Sequence, residues 1–377
     1  MTLRLSTLRL RIDRNDLEGR EARRTLECAA DLLRRGKLVA FPTETVYGLG
    51  ANALNAAAVS SIFVAKGRPF WDPVIVHVAG ESALEGLVEN VPASARRLIG
   101  AFWPGPLTLL LPRSLAIEDV VTAGRSLVGM RMPADAVALA LIRAAGVPVA
   151  APSANTFGHT SPTTAAHVLD DLDGRIDAVV DAGPTVCGVE STVLDPNQTP
   201  MMIYRPGAVT REQLCASAGC AVEYYREAAG PATGSPEALP SPGVGLRHYA
   251  PRARLILIEA RVEAGAGERW ADALIAAVED LAGPGVRTQY LGTQSGGIQR
   301  VGILSPGEFC EEIASRAPDA VVYRWGSWAE ADSMARDLYA GLRSLDASGC
   351  DVILCPLPPE FGVGVALGDR LRKASAR

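Results

Sequence analysis

What the sequence lacks narrows its function early. Seven cysteines (Cys28, Cys187, Cys215, Cys220, Cys310, Cys350 and Cys355) form an odd set without a CxxC pair. That argues against a disulfide framework or a zinc site and for reduced thiols in a cytoplasmic chain. Neither GxGxxG nor GxxxxGK(S/T) occurs, so the dinucleotide fingerprint and the P-loop are both missing. The opening MTLRLSTLRLRIDRND alternates Leu and Arg with no uninterrupted apolar run. It reads as an edge strand, not a signal peptide or a membrane span. Lys and Arg form no stripe and the net charge is -5, which argues against a surface that grips nucleic acid everywhere. Arginine greatly outnumbers lysine, which reads as coding bias.

What is present suits two domains. A chain of 377 residues is long for one ordinary domain and can bury two cores. Apolar strands alternate with helices throughout, so the expected class is α/β. In the first part, strands are expected over 38–41, 74–78, 107–111, 126–132, 147–151, 178–181, 191–195 and 202–205. Helices are expected over 26–33, from an Asn55 cap through Lys66 to a stop at Gly67, over 82–88 and 93–102, and over 136–145 with Gly146 ending it; Ser161 can cap another, with Pro162 at its first position. The stretch GPATGSPEALPSPGVGLRHYAP is rich in Gly, Pro and Ser and reads as a linker. It ends on Arg247, His248 and Tyr249, which a plain spacer has little use for. The boundaries expected are 1–219, a linker over 220–251 that folds back over a site, and 252–377 as a smaller α/β domain.

The chemistry gathers between Lys37 and His77. A strand ends at Pro42 just before Thr43, Glu44 and Thr45, and a helix ends in Lys66-Gly67-Arg68-Pro69. A cation at a helix end ordinarily offsets the dipole. Two cations bracketing a Gly beside a hydroxyl-rich loop favour phosphate or carboxylate binding. Arg131 and Arg205 stand at strand ends, where a surface ion pair is the plain alternative. His77 lies in an apolar strand, where a core histidine is the commoner role. Ser153, Asn155 and Ser161 follow a buried strand, Ser191 and Thr192 follow Glu190, and Cys187 has no histidine near it in sequence to activate it. The residues alone therefore describe a polyanion site built from hydroxyls and four cations.

The strings PTETVYGLG, KGRP, the His of VIVH, WPGPLT, VGMRMP, APSAN, GVEST, YRPG and SPGVGLRHYAP, in that order, resemble the L-threonylcarbamoyladenylate synthases, the long two-domain form of the YrdC-like family. The resemblance runs from about Leu26 to Pro251 and continues more weakly through LRSLD and ALGDRLRKA. It implies a twisted open mixed sheet with helices, followed by a smaller Rossmann-like α/β domain. It also implies a reaction in which L-threonine, bicarbonate and ATP give threonylcarbamoyl-AMP and pyrophosphate, for threonylcarbamoylation of tRNA by downstream transfer machinery. On matching positions it gives L-threonine to Thr45, His77, Arg131 and Ser191. ATP falls to Lys66, Arg68, Asp72, Ser153, Asn155, Ser161, Arg205 and Tyr249, with Lys66 and Arg68 the catalytic cations and Mg²⁺ arriving with ATP. Three positions depart from the family pattern: Asp72 stands for a common Asn, Phe157 for a small polar residue, and Asp369 for another Asn. A structured-RNA-binding module of the same family is the alternative. The related segment of hydrogenase-maturation carbamoyltransferases fits less well, because the CxxC pairs of those proteins are missing.

Overall fold

The computed structural model describes residues 6–226, 241, 244, 248–259, 267–282 and 300–376. Arg247 and most of the Gly/Pro-rich linker reading lie outside the described residues. The chain divides into two compact units, Met1–Phe157 with Ser161–Gly245 and Gly158–Thr160 with Leu246–Arg377.

The first unit is built on a mixed sheet. Its strands are β1 (Leu8–Arg11), β2 (Val39–Phe41), β3 (Gly48–Asn52), β4 (Ile75–His77), β5 (Leu107–Pro112) and β6 (Leu127–Arg131), then β7 (Val149–Ala150), β8 (Ala178–Asp181), β9 (Thr192–Asp195), β10 (Met201–Arg205) and β11 (Val222–Tyr224). They lie in the order β1-β8-β2-β3-β7-β4-β6-β5-β9-β10-β11. The Leu/Arg-alternating N-terminus is indeed an edge strand, paired parallel to β8. Val222–Tyr224, expected as the start of the linker, instead pairs parallel to β10 and closes the opposite edge.

Helices α1 (Arg20–Arg34), α2 (Ala56–Lys66), α3 (Ala93–Phe102), α4 (Asp119–Thr122), α5 (Ala136–Ala145), α6 (Ala165–Leu172) and α7 (Arg211–Ala218) complete this unit. Two cores result. Helices α1 and α5 cover one with Leu26, Leu33, Leu141 and Ile142 packed on Phe41, Val149 and Val180. The other gathers Ile62, Phe63, Leu98, Leu109, Met130 and Leu194. The helix expected over 82–88 reduces to a 3-10 turn at Glu81–Leu84, and Gly86 follows with φ 82°. The helix expected to begin at Ser161 begins at Ala165, where the Thr164 side chain accepts from His167 N. Ser161 is thereby left for another partner.

The second unit holds β12 (Arg254–Ile258), β13 (Val301–Ser305), β14 (Val321–Arg324) and β15 (Val352–Pro356), with α8 (Gly267–Ala282), α9 (Cys310–Arg316), α10 (Ala331–Ala347) and α11 (Gly364–Ser375). The strands form one parallel sheet in the order β12-β15-β13-β14, the Rossmann-like layer expected. Ile303, Val352 and Leu354 pack under Leu274, Leu281 and Ile313. Tyr249 belongs to this unit. It holds φ at 65°, a left-handed conformation that costs a non-glycine residue about 1–3 kcal/mol unless its surroundings hold it there. Its ring stacks on Tyr339 at 5.8 Å and lies 5.0 Å from the guanidinium of the fully buried Arg370. Asp369, one of the departures from the family pattern, pairs with Arg370 at 2.5 Å and with Lys373 at 2.9 Å.

Candidate active site

Sheet register builds the floor of the site. His77 on β4 pairs with Arg131 on β6. Leu109 pairs antiparallel with Met130, so the next step faces Thr108 with Arg131. Thr108 pairs with Val193, and Val193 with Arg205. Paired residues share a face of a pleated sheet, so His77, Arg131, Thr108, Val193 and Arg205 form one row across five neighbouring strands. Ser191, two residues before Val193, falls on the same side. The strand ends that carry these residues do not all lie at one edge of the sheet. β2 and β7 run against β4, β6 and β10, and the loop after β2 reaches Arg131 from the other direction.

That loop is a hydroxyl-closed turn. The Thr43 hydroxyl accepts from Thr45 N and Val46 N and donates to Val46 O. It thereby presents Glu44 and Thr45. Arg131 Nη2 donates to Thr45 Oγ1 at 3.0 Å and pairs with Glu44 Oε1 at 2.7 Å, while Nε reaches Gly105 O at 3.4 Å. Across the row, Ser191 is held twice. Arg205 donates to its carbonyl at 3.0 and 2.9 Å and to its hydroxyl at 3.0 Å, and Thr108 Oγ1 lies 2.8 Å from Ser191 Oγ.

Gly207 permits this arrangement by close approach. A Cβ there would lie 2.3 Å from Thr192 N and 2.5 Å from Glu190 O. Gly207→Ala is expected to cost about 1–3 kcal/mol, the usual range for overpacking, and to push the Ser191 segment off the row. Urea denaturation and the threonine KM of the variant check both effects.

The remaining cations come from the end of α2. Asn55 Oδ1 caps the helix start by accepting from Ala58 N, and Gly67 ends it at φ 64°, a left-handed position that suits glycine. Lys66 is thus the last helical residue and Arg68 the first beyond the turn. Lys66 Nζ donates to Ser153 O at 2.6 Å and Asn155 O at 2.5 Å, and Lys66 O accepts from Phe157 N at 2.9 Å. These bonds tie the loop after β7 to the helix. Burial first, and then Arg68, pull the Lys66 ammonium well below the ordinary lysine range, while the two carbonyls favour its charged form.

Arg68 pairs with Asp72 at 2.8 Å and donates to the carbonyls of Asp72 and Pro73. Its guanidinium also lies 5.9 Å from the Phe157 ring. Burial raises the Asp72 carboxyl, against the pull of Arg68, Lys66 and Arg205. Arg205 acts on His77 as well, so the two groups of cations share one electrostatic field.

His77 is buried, and its Nδ1 has no hydrogen-bond partner among the described residues. Burial, and then the charge of Arg131, lower its pKa to about 3, so the imidazole is neutral at pH 7. In the unfolded chain it protonates near 6.5. The folded form therefore binds fewer protons between those values, and stability is lost as pH falls from about 6.5 toward 3. Between about pH 7 and 5 the wild type should lose roughly 2 kcal/mol more stability than His77→Gln does. Urea denaturation of both proteins at the two pH values measures the difference; parallel losses would exclude a buried neutral His77.

Of the residues the sequence singled out, the structure brings Thr45 to Arg131, Ser191 to Arg205, Arg68 to Asp72, and Lys66 to the Ser153 and Asn155 carbonyls. Ser161 is fully buried and donates to Glu190 Oε1 at 2.6 Å instead of capping a helix. Tyr249 lies in the second unit. Glu44, Thr108 and Glu190 were not assigned from sequence, although each falls inside a motif string that was quoted. The signal for them was a polar side chain in an otherwise apolar or glycine-rich setting.

The first unit is thus an α/β fold whose sheet face gathers four buried cations, Lys66, Arg68, Arg131 and Arg205, without a P-loop. A family model described as "Telomere recombination", covering the Sua5, YciO and YrdC proteins, matches residues 31–207. A second, "Threonylcarbamoyl-AMP synthase, C-terminal domain", matches residues 209–376. The threonylcarbamoyl-AMP synthase of Pyrococcus abyssi is 40% identical over 350 residues, covering 93% of this chain and 94% of that protein. That of Bacillus subtilis is 44% identical over 348 residues, covering 92% of each. The crystal structure of P. abyssi Sua5 complexed with L-threonine superposes with a TM-score of 0.80 at 38% identity, covering 98% of this chain and 97% of that one. The chain belongs to the Sua5/YrdC family, in its long two-domain form.

Proposed function

We propose that this chain condenses L-threonine, bicarbonate and ATP into threonylcarbamoyl-AMP and pyrophosphate. The supporting observation is the row His77, Arg131, Thr108, Val193, Arg205, with Lys66 and Arg68 beside it, in a chain that matches the threonine-bound P. abyssi protein along nearly its whole length. Thr45, His77, Arg131 and Ser191 would hold L-threonine, with the unpartnered Nδ1 of neutral His77 open to a substrate hydrogen bond. Lys66, Arg68 and Arg205 would meet the phosphates, and Ser153, Asn155 and Ser161 would shape the loops around ATP.

The threonine amine first becomes a carbamate, whose oxygen attacks the α-phosphorus and displaces pyrophosphate. No protein nucleophile is needed, so catalysis rests on positioning and charge neutralisation. Mg²⁺ would arrive as part of the Mg·ATP substrate and offset phosphate charge. Asp72, buried 2.8 Å from Arg68, is the carboxylate that would face it. The product would pass to the machinery that modifies tRNA. A cytoplasmic setting belongs to the same proposal and is supported by seven free cysteines. No helix among the described residues is long and apolar enough to cross a membrane.

The test is pyrophosphate release by the purified chain with Mg·ATP, omitting L-threonine and bicarbonate in turn. Release is expected only when both are present. Release without threonine would indicate another acceptor, and no release at all would favour an RNA-binding role.

A further inference from the structure

The synthase reading leaves one buried carboxylate without a task. The Glu44 side chain is 7% exposed and lies 2.7 Å from Arg131 Nη2, and among the described residues neither of its oxygens has a hydrogen-bond donor in line. It stands beside Thr45, which shares the same Arg131 nitrogen. An amino acid arrives as a zwitterion, and a site that desolvates it needs an anion for the ammonium as well as a cation for the carboxylate. Four buried cations serve anions here. Among the buried carboxylates near them, Asp72 stands against Arg68 in the turn after α2, beside the residues given to ATP, and Glu190 receives the Ser161 hydroxyl. Glu44 is the one placed among the threonine residues.

Resting on the synthase reading, we propose that Glu44 receives the α-ammonium of the amino-acid substrate and takes its proton, freeing the amine for carbamate formation. The ammonium N–H bond breaks, its electron pair stays on nitrogen, and the proton goes to a Glu44 oxygen. The amine nitrogen then bonds to the bicarbonate carbon. The C–O bond to the bicarbonate hydroxyl breaks, and that hydroxide leaves as water with one of the two remaining N–H protons. The carbamate keeps the single negative charge that bicarbonate brought, and Glu44 later returns its proton to solvent.

The charged and titratable groups around Glu44 come from several elements. Arg131 lies on β6, and His77 on β4 is in register with it. Asp135 is the cap of α5, where Glu44 adds to the burial that raises its carboxyl, and Arg14 pairs with Asp135 at 2.8 Å. Cys187 donates its amide to Glu44 O at 2.8 Å. Among the described residues, Arg131 is the one cation in direct contact, and the substrate carboxylate would engage it as the ammonium reaches Glu44.

The test measures pyrophosphate release by the full chain at about pH 7 and about pH 9. Glu44→Gln should lower kcat/KM for threonine about 100-fold or more at the lower pH, the size typical of a lost general base. At least about tenfold should return at the higher pH, where the free amine forms without help. Glu44→Asp should stay within about tenfold of wild type, and the KM for ATP should not move. A Glu44→Gln variant within about threefold of wild type would overturn the assignment. So would an equal loss at both pH values, which would make Glu44 only a holder of Arg131.

Binding to the wild-type chain gives a second readout that needs no variant to fold. 3-Hydroxybutanoate, which is threonine without its α-amine, should bind at least about tenfold more weakly than L-threonine; equal binding contradicts the proposal. A wild-type chain without threonine-dependent release overturns the synthase reading and this one with it. Wild-type release with Glu44→Gln unimpaired removes Glu44 alone.

Discussion

Arg68→Ala is expected to lower pyrophosphate release at least about 100-fold, the loss typical when one preorganised donor to a developing charge is removed. On the proposed reaction, ATP, a carboxylate and a carbamate bring roughly six negative charges to a face where Lys66, Arg68, Arg131, Arg205 and one Mg²⁺ supply about as many positive ones. Arg68 is also held in advance. Its side chain is 6% exposed, pairs with Asp72 and donates to two carbonyls of the following turn. Little reorganisation is left for the moment of reaction. The same substitution has a structural price, because Asp72 then stays buried without its partner. Breaking a buried pair from one side costs about 3–5 kcal/mol, and burial already raises the Asp72 carboxyl. Adding Asp72→Asn should restore most of that stability while leaving activity low. Denaturation midpoints and single-turnover rates of the single and double variants separate the two effects, and near wild-type turnover in Arg68→Ala would remove Arg68 from the reaction.

Local signals made much of the first unit legible. Asn55 and Gly67 bounded α2 correctly, and Gly146 marked the end of α5, whose start is capped by Asp135, a signal the sequence reading passed over. What failed was any element whose evidence lies far away in sequence. β3, Gly48–Asn52, is a glycine-rich strand with weak β-propensity, and it forms because β2 and β7 flank it. Ser161 looked like a helix cap because Ser-Pro is a good local start. Thr164 won that role, and Glu190, 29 residues on, took the Ser161 hydroxyl. The site residues were legible as chemical types, but their grouping was not. Thr108 meets Ser191 across 83 residues and Arg131 meets Thr45 across 86, and only sheet register explains why. Glu44 was visible as an acid in a polar loop, and the geometry around Arg131 gave it a partner.

Arg205 is where that register has its largest consequence after Arg68. Its guanidinium bonds the Ser191 carbonyl twice and the Ser191 hydroxyl once. A residue assigned to ATP therefore positions one assigned to threonine. Arg205→Ala should lower kcat/KM about 100-fold or more through lost phosphate contact, and should also raise the threonine KM, because Ser191 then keeps only Thr108. Ser191→Ala alone should raise the threonine KM with a smaller change in kcat. Residues within one hydrogen-bond network couple by about 0.5–3 kcal/mol in double-mutant cycles. The double variant Arg205→Ala/Ser191→Ala should accordingly lose less than the sum of the two single losses in log kcat/KM. Additive losses would mean that Arg205 and Ser191 act independently, with the three hydrogen bonds serving the fold and not the substrate pair.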